Sequence, residues 1–203
     1  MKLSQAEIDE LYSDALPLIE KTIAALESYP MNNSTIEGRV KGELKYLRQR
    51  IMKKDLAVPQ AYHNEMRTIA YAITNATVGA DQSIDADLGR IYAILFVGRP
   101  LLKEKHIPWL LAQLDTLAKI SSKDKAVPTE FAEAALPLFA KLKEEVLQGR
   151  FHLKQNKAVV SAFNRLRRLR PIKPNLDFDI PFSDLGWVID NDVGPLYGGE
   201  DVD

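Results

Sequence analysis

The sequence predicts an all-α protein: a single helical bundle or array of about seven amphipathic helices, followed by an extended acidic C-terminal strap. Apolar residues recur every three or four positions over residues 1–170, where the alternation typical of strands is almost absent. Helix-start signals, either Ser/Glu pairs or prolines, precede most of these stretches. From Pro171 onward the composition becomes rich in proline, aromatic residues and aspartate.

The first two helices are predicted from paired capping residues. Ser4 and Glu7 have the spacing of a capping box, and Ser34 and Glu37 repeat it before a second apolar series. Pro17 interrupts the first helix, so we expect a kink or a restart there.

Five further helices follow. We place their starts near Pro59, Ile84, Pro108, Pro128 and Leu153. Each helix has one apolar stripe, so stability must come from mutual burial in one domain, residues 1–170. The runs 54–59 and 123–128 resemble each other. They allow a three-helix pseudo-repeat, 1–79 and 80–149, but similar helix-start chemistry is the favoured explanation.

The C-terminal segment, residues 171–203, is predicted to be an extended acidic aromatic tail docked on the helical body. Leu176, Phe178, Ile180 and Phe182 alternate with other residues, which is typical of a strand with one apolar face. Burying large apolar side chains is favourable by about 1.5–3 kcal/mol each. We therefore expect Phe178, Phe182 and Trp187 to anchor the tail.

Charge is distributed unevenly, although the formal net charge is only −1. Residues 150–170 contain basic residues and no Asp or Glu, whereas the tail is strongly acidic. This contrast predicts a candidate binding face on a basic helix: Lys154, Lys157, Arg165, Arg167 and Arg168. The tail then serves either as a permanent strap that neutralises this helix or as a regulated cover.

Catalytic and cofactor signatures are missing from the sequence. There is no cysteine, which excludes disulfides and thiolate zinc sites and suits a reducing compartment, so we expect a cytoplasmic protein. We find no phosphate-binding glycine loop and no paired histidines. Asp81 and Asp85 are weak candidates for a divalent cation, but acids in a first helical turn are expected from the helix dipole alone. We expect no catalytic residue and no cofactor.

These observations favour a non-enzymatic helical protein-interaction module, such as an adaptor, a regulator or an inhibitor-type partner. The partner is then another protein. One alternative is nucleic-acid binding by the basic helix 150–170, gated by the acidic tail. A second alternative is a metal-dependent hydrolase with helix-borne carboxylates. No apolar run is long enough to span a membrane, and the sequence leaves the oligomeric state open.

Overall fold

The computed structural model describes residues 3–31, 34–59, 68–71, 82–170 and 175–197. Within these ranges the chain is helical and contains no strand, which confirms the predicted all-α class. Its α-helices are Gln5–Ala25 (α1), Ile36–Met52 (α2), Gln82–Tyr92 (α3), Ile107–Lys123 (α4), Thr129–Leu147 (α5), Lys157–Leu169 (α6) and Leu176–Asn191 (α7). Residues 68–71 are also helical.

The chain divides into two compact units. Unit 1 comprises Met1–Leu101 and Leu196–Asp203, and unit 2 comprises Leu102–Pro195. These boundaries differ from the predicted division into a body, 1–170, and a tail, 171–203. The proposed pseudo-repeat stays a prediction, because most of residues 60–81 lie outside the described ranges.

Unit 1 begins with the predicted capping box. The Ser4 hydroxyl accepts a hydrogen bond from the Glu7 N–H, and the Glu7 carboxylate accepts one from the Ser4 N–H at 2.7 Å. α1 then continues through Pro17 as one helix. The cap of α2 is Thr35, whose hydroxyl accepts the Gly38 N–H at 3.1 Å, so the box predicted at Ser34 was placed one residue early.

The core of unit 1 lies where α1 packs against α2 and α3. Leu11, Ile19, Leu44, Leu88 and Ile91 are fully buried in it. α3 continues into a π-helix, Ala93–Val97, which stops at Gly98 in the left-handed conformation that glycine tolerates best (φ 88°).

Unit 2 is built from α4 to α7 with two short 3₁₀ helices, Glu104–His106 and Leu153–Gln155. α4 packs against α5 and α7, and α6 packs against the same two helices. Four phenylalanine rings meet at the centre, with neighbouring ring centroids 5.1–6.0 Å apart: Phe131, Phe163, Phe178 and Phe182. The C-terminal segment therefore contributes two rings to the core of its own unit.

The prediction of an extended strand over residues 176–182 is wrong, because this stretch begins α7. The Asn175 side chain accepts the Asp177 N–H and caps the helix, and Asp177 and Asp179 suit the positive end of its dipole. Pro181 does not stop the helix. In a strand every second residue shares a face, whereas in a helix residues four positions apart do. Phe178 and Phe182 therefore point inward, whereas Leu176 and Ile180 are exposed.

α7 ends at Asp192, which has a left-handed backbone (φ 53°) and is buried. One carboxylate oxygen of Asp192 accepts the Lys154 N–H at 3.0 Å, and its carbonyl accepts the Leu102 N–H at 2.9 Å. Asp192 thus fastens the end of α7 to the 3₁₀ helix before α6.

Candidate interaction surfaces

A cationic strip runs along the solvent side of α6 and the turn before it. We call it the basic face. Its members lie on one side of the helix and, together with Val160, line a shallow depression of about 520 Å³: Lys154, Lys157, Ser161, Asn164, Arg165 and Arg168. Lys157 and Arg168 are exposed, and no acidic side chain of the described residues lies within salt-bridge distance of either.

Two acidic groups border the strip. At one edge Glu130 approaches Arg165 at 3.9 Å, with both side chains about two-thirds exposed (68% and 66%). At the other edge Arg167 donates to both carboxylate oxygens of Asp190, at 3.2 and 2.5 Å. The basic face is therefore narrow, because acidic side chains at both edges offset the positive charge beyond it.

Arg167 was predicted to belong to the binding face, but the structure turns it toward α7. Its guanidinium lies over the Phe163 ring, 4.5 Å from the centroid, while it binds Asp190. Arg170 behaves in the same way, since it pairs with Asp179 and lies 5.9 Å from the Phe182 ring centroid. The acids of α7 thus pair with the two arginines nearest to it, whereas Lys157 and Arg168 have no acidic partner among the described residues.

The Arg170–Asp179 pair stabilises the ionised carboxylate. Burial raises the pKa of Asp179, but hydrogen bonds from the Asn175 N–H (3.0 Å) and from Arg170, together with the charge of Arg170, outweigh it. The net result is a pKa below the usual 3.8. Asp179 therefore remains a carboxylate at neutral pH and holds the first turn of α7 to the end of α6.

The three predicted tail anchors lie at different depths. Phe178 and Phe182 are 3% and 4% exposed, within the ring cluster of unit 2. Trp187 is half-buried and lines a cavity of about 380 Å³ together with Ser183 and Gly186. Only the two phenylalanines are thus core residues.

The predicted cation-site acids are not brought together within the described chain. Asp81 lies outside the described residues, and Asp85 is half-buried in the first turn of α3. Their neighbour Asp87 is buried and accepts from Lys21 at 2.6 Å and from Arg90 at 3.3 Å, which gives it a structural role. Among the described residues no three His, Asp or Glu side chains are placed to hold a metal ion.

Composition did not indicate two charged side chains of unit 1 that form hydrogen bonds with backbone groups. Lys41 is 4% exposed and donates to the Glu27 and Tyr29 carbonyls, both at 3.0 Å, beyond the C-terminal end of α1. The carboxylate of Glu43 accepts the Thr68 and Ile69 N–H groups at 2.8 and 2.9 Å. These residues satisfy backbone groups, which is a role for fold stability.

No protein-family model, curated protein or solved structure matches this chain. None of the helices in the described ranges combines the length and the apolar composition that a membrane crossing requires.

Proposed function

We propose that this chain is a non-enzymatic protein-interaction module that binds an acidic segment of another protein on its basic face. The observation that carries the proposal is the exposed pair Lys157 and Arg168, which the acids of α7 leave without an ionic partner in the described chain. An adaptor, a regulator or an inhibitor-type partner would each use such a surface. A cytoplasmic location belongs to the same proposal and is supported by the complete lack of cysteine.

The dimensions of the basic face favour a protein over a nucleic acid. From Lys157 to Arg168 the strip extends about 16 Å, at a rise of 1.5 Å per residue. Carboxylates stand at both edges, at Glu130 and Asp190. A nucleic acid carries a dense, continuous row of phosphates and would bring some of them near these acids. A short acidic peptide segment needs only the central cations.

Nucleic-acid binding at the same face, gated by the C-terminal segment, is the second candidate. Deleting residues 171–203 is not a suitable test of this gating. α7 contributes Phe178 and Phe182 to the core, so removing residues 171–203 would expose core rings of unit 2. Substitution of exposed residues tests the surface without this loss.

The test compares two labelled probes by fluorescence anisotropy: a synthetic glutamate-rich peptide and a short DNA duplex. We expect the peptide to bind the full chain, and Lys157→Glu combined with Arg168→Glu to weaken it about tenfold, since each exposed ion pair contributes about 0.2–1 kcal/mol. The matched control reverses two exposed lysines elsewhere in unit 2, Lys119→Glu with Lys141→Glu. Equal weakening by the control would refute a specific site.

Duplex binding at about 0.15 M salt without peptide binding would establish the nucleic-acid alternative instead. The hydrolase alternative has its own test, because a divalent ion that binds the folded state raises the melting temperature. A clear rise on adding Mg²⁺ or Mn²⁺ would contradict a module that needs no metal.

A further inference from the structure

α7 has a second face that the packing of unit 2 does not cover. Leu176 is 73% exposed, Ile180 is 58% exposed, and Trp187 is half-buried. Their spacing of four and then seven residues places all three on one side of the helix, opposite the buried Phe178 and Phe182. We call these three residues the apolar stripe.

The regular spacing distinguishes the stripe from ordinary exposed apolar residues. Leu136 and Leu147 are also exposed in unit 2 (37% and 65%), but they lie eleven residues apart on α5 with no exposed large apolar residue between them. Single exposed apolar residues are common on protein surfaces, whereas aligned groups mark interaction sites. An aligned series at helical spacing is the pattern by which one helix packs on another.

The stripe is bordered by depressions that suit inserted side chains. Ser183 occupies the helical position between Ile180 and Trp187, and this small residue lies in the cavity of about 380 Å³ that Trp187 also lines. At the other end, Leu176 borders a groove of about 990 Å³ together with Ile120 and Val127. Projecting apolar side chains of a docked helix therefore have places to enter at both ends.

Carboxylates lie along both edges of the stripe. Asp177 and Asp184, seven residues apart, follow one edge, and Asp179 and Asp190 follow the other. α7 itself contains no Lys or Arg. Asp179 and Asp190 are engaged by Arg170 and Arg167, whereas Asp177, on the other edge, is exposed.

We propose that the apolar stripe docks a basic amphipathic helix of a partner protein. Leucine-like residues of that helix contact Leu176, Ile180 and Trp187, and its lysines or arginines lie toward Asp177 and Asp184. The apolar stripe shares no residue with the basic face, although Arg168 also lines the groove beside Leu176. The stripe selects a partner of the opposite charge. The module therefore has two sites for two kinds of protein segment.

A second copy of this chain fits the stripe less well. Two α7 helices facing each other would bring their aspartates together. The basic face of another copy has the right charge, but among the described residues that line its depression the one apolar residue is the half-buried Val160, so it offers little apolar surface to the stripe. Charge and apolar content together therefore favour a different protein.

The experiment uses a labelled synthetic helical peptide of about four turns, with leucines on one face and lysines along its edges. We expect it to bind the full chain, and Leu176→Ser with Ile180→Ser to weaken it at least about tenfold. Leu147→Ser is the matched control, since it removes an equally exposed leucine elsewhere in unit 2. Circular dichroism confirms that each variant remains folded.

Charge is tested separately. Asp177→Asn with Asp184→Asn should weaken the same peptide and reduce its salt dependence, whereas Glu133→Gln, an exposed acid on α5, should not. A composition-matched peptide with scrambled leucines should bind at least tenfold more weakly. Equal binding of both peptides, or an unchanged affinity in the Leu176 and Ile180 variant, would overturn the proposal.

Two further outcomes are decisive. Concentration-dependent dimerisation of the chain alone, abolished by the Leu176 and Ile180 variant in ultracentrifugation, would assign the stripe to a second copy and overturn the proposal. The Lys157 and Arg168 variant should still bind the basic peptide. Failure at one face thus remains distinguishable from failure at the other.

Discussion

Truncating the apolar residues at the start of α7 one at a time distinguishes its two faces. Phe182 is 4% exposed, and its ring centroid lies 5.1 Å from that of Phe163 and 5.2 Å from that of Phe178. Phe182→Ala leaves a cavity in this cluster, and such substitutions cost about 3–5 kcal/mol. Ile180→Ala removes a side chain that is 58% exposed, so its cost should stay within about 0.5 kcal/mol.

The assay is urea unfolding of the full chain, followed by tryptophan fluorescence. Both tryptophans, Trp109 and Trp187, belong to unit 2 and report on its unfolding. Total stabilities are about 5–15 kcal/mol, so Phe182→Ala should shift the transition strongly. Phe182→Leu, expected to cost about 1 kcal/mol, serves if the alanine variant does not fold. Similar losses from Phe182→Ala and Ile180→Ala are what a strand with one buried face would produce, and they would refute the helix.

Other substitutions test single contacts. Asp179→Asn should cost about 1 kcal/mol at neutral pH. The folded-state pKa of Asp179 lies below the usual 3.8, so this stabilisation is present above that value and is lost as the pH falls through the folded pKa. The melting temperatures of the wild type and the Asp179→Asn variant should therefore converge in acid. A difference that stays constant with pH would contradict the pairing with Arg170. Asp192→Ala should cost about 1–3 kcal/mol in urea unfolding, because alanine tolerates the left-handed backbone poorly and the Lys154 N–H loses the Asp192 acceptor. Asp192→Asn keeps both features and should be nearly neutral. Equal effects of the two substitutions would argue against both causes. Ser4→Ala should lower stability by about 1 kcal/mol in thermal melts and Ser4→Thr by less, and no loss with alanine would mean that the cap is dispensable.

Helix positions in the described chain were predictable wherever a start signal and an apolar period agreed. α4 and α5 begin beside Pro108 and Pro128, and α1 begins at its Ser4 cap. Such signals act within a few residues of chain, so sequence reveals them directly. The division into two units depends on contacts between distant residues, which no local pattern contains.

The strand prediction at residues 176–182 is wrong because the apolar residues there fit the two-residue period of a strand as well as the period of a helix. Apolar residues at every second position satisfy a strand, but positions 178, 182, 185 and 189 also satisfy a helix. The cap at Asn175 and the acids of the first turn were local signals for the helix. Pro181 argues against a helix at this point, since a proline inside a helix usually kinks or breaks it.

The charge contrast between residues 150–170 and the C-terminal segment was visible in composition, but its geometry was not. The charge composition alone grouped Arg167 with Lys157 and Arg168. Because α7 is a helix packed on α6, Asp190 reaches Arg167 and Asp179 reaches Arg170. Which cations remain open is therefore a property of helix packing.

Both proposed surfaces depend on α7 being a helix, because its outer side forms the apolar stripe and its aspartates engage the arginines beside the basic face. Backbone NMR of residues 176–191 tests this most directly. Carbon secondary shifts should be helical through Pro181 to Asn191. The ring protons of Phe178 and Phe182 should show contacts with Phe131, and the methyl protons of Ile180 should not. Extended-chain shifts over 176–182, with Ile180 contacting Phe131, would contradict the account.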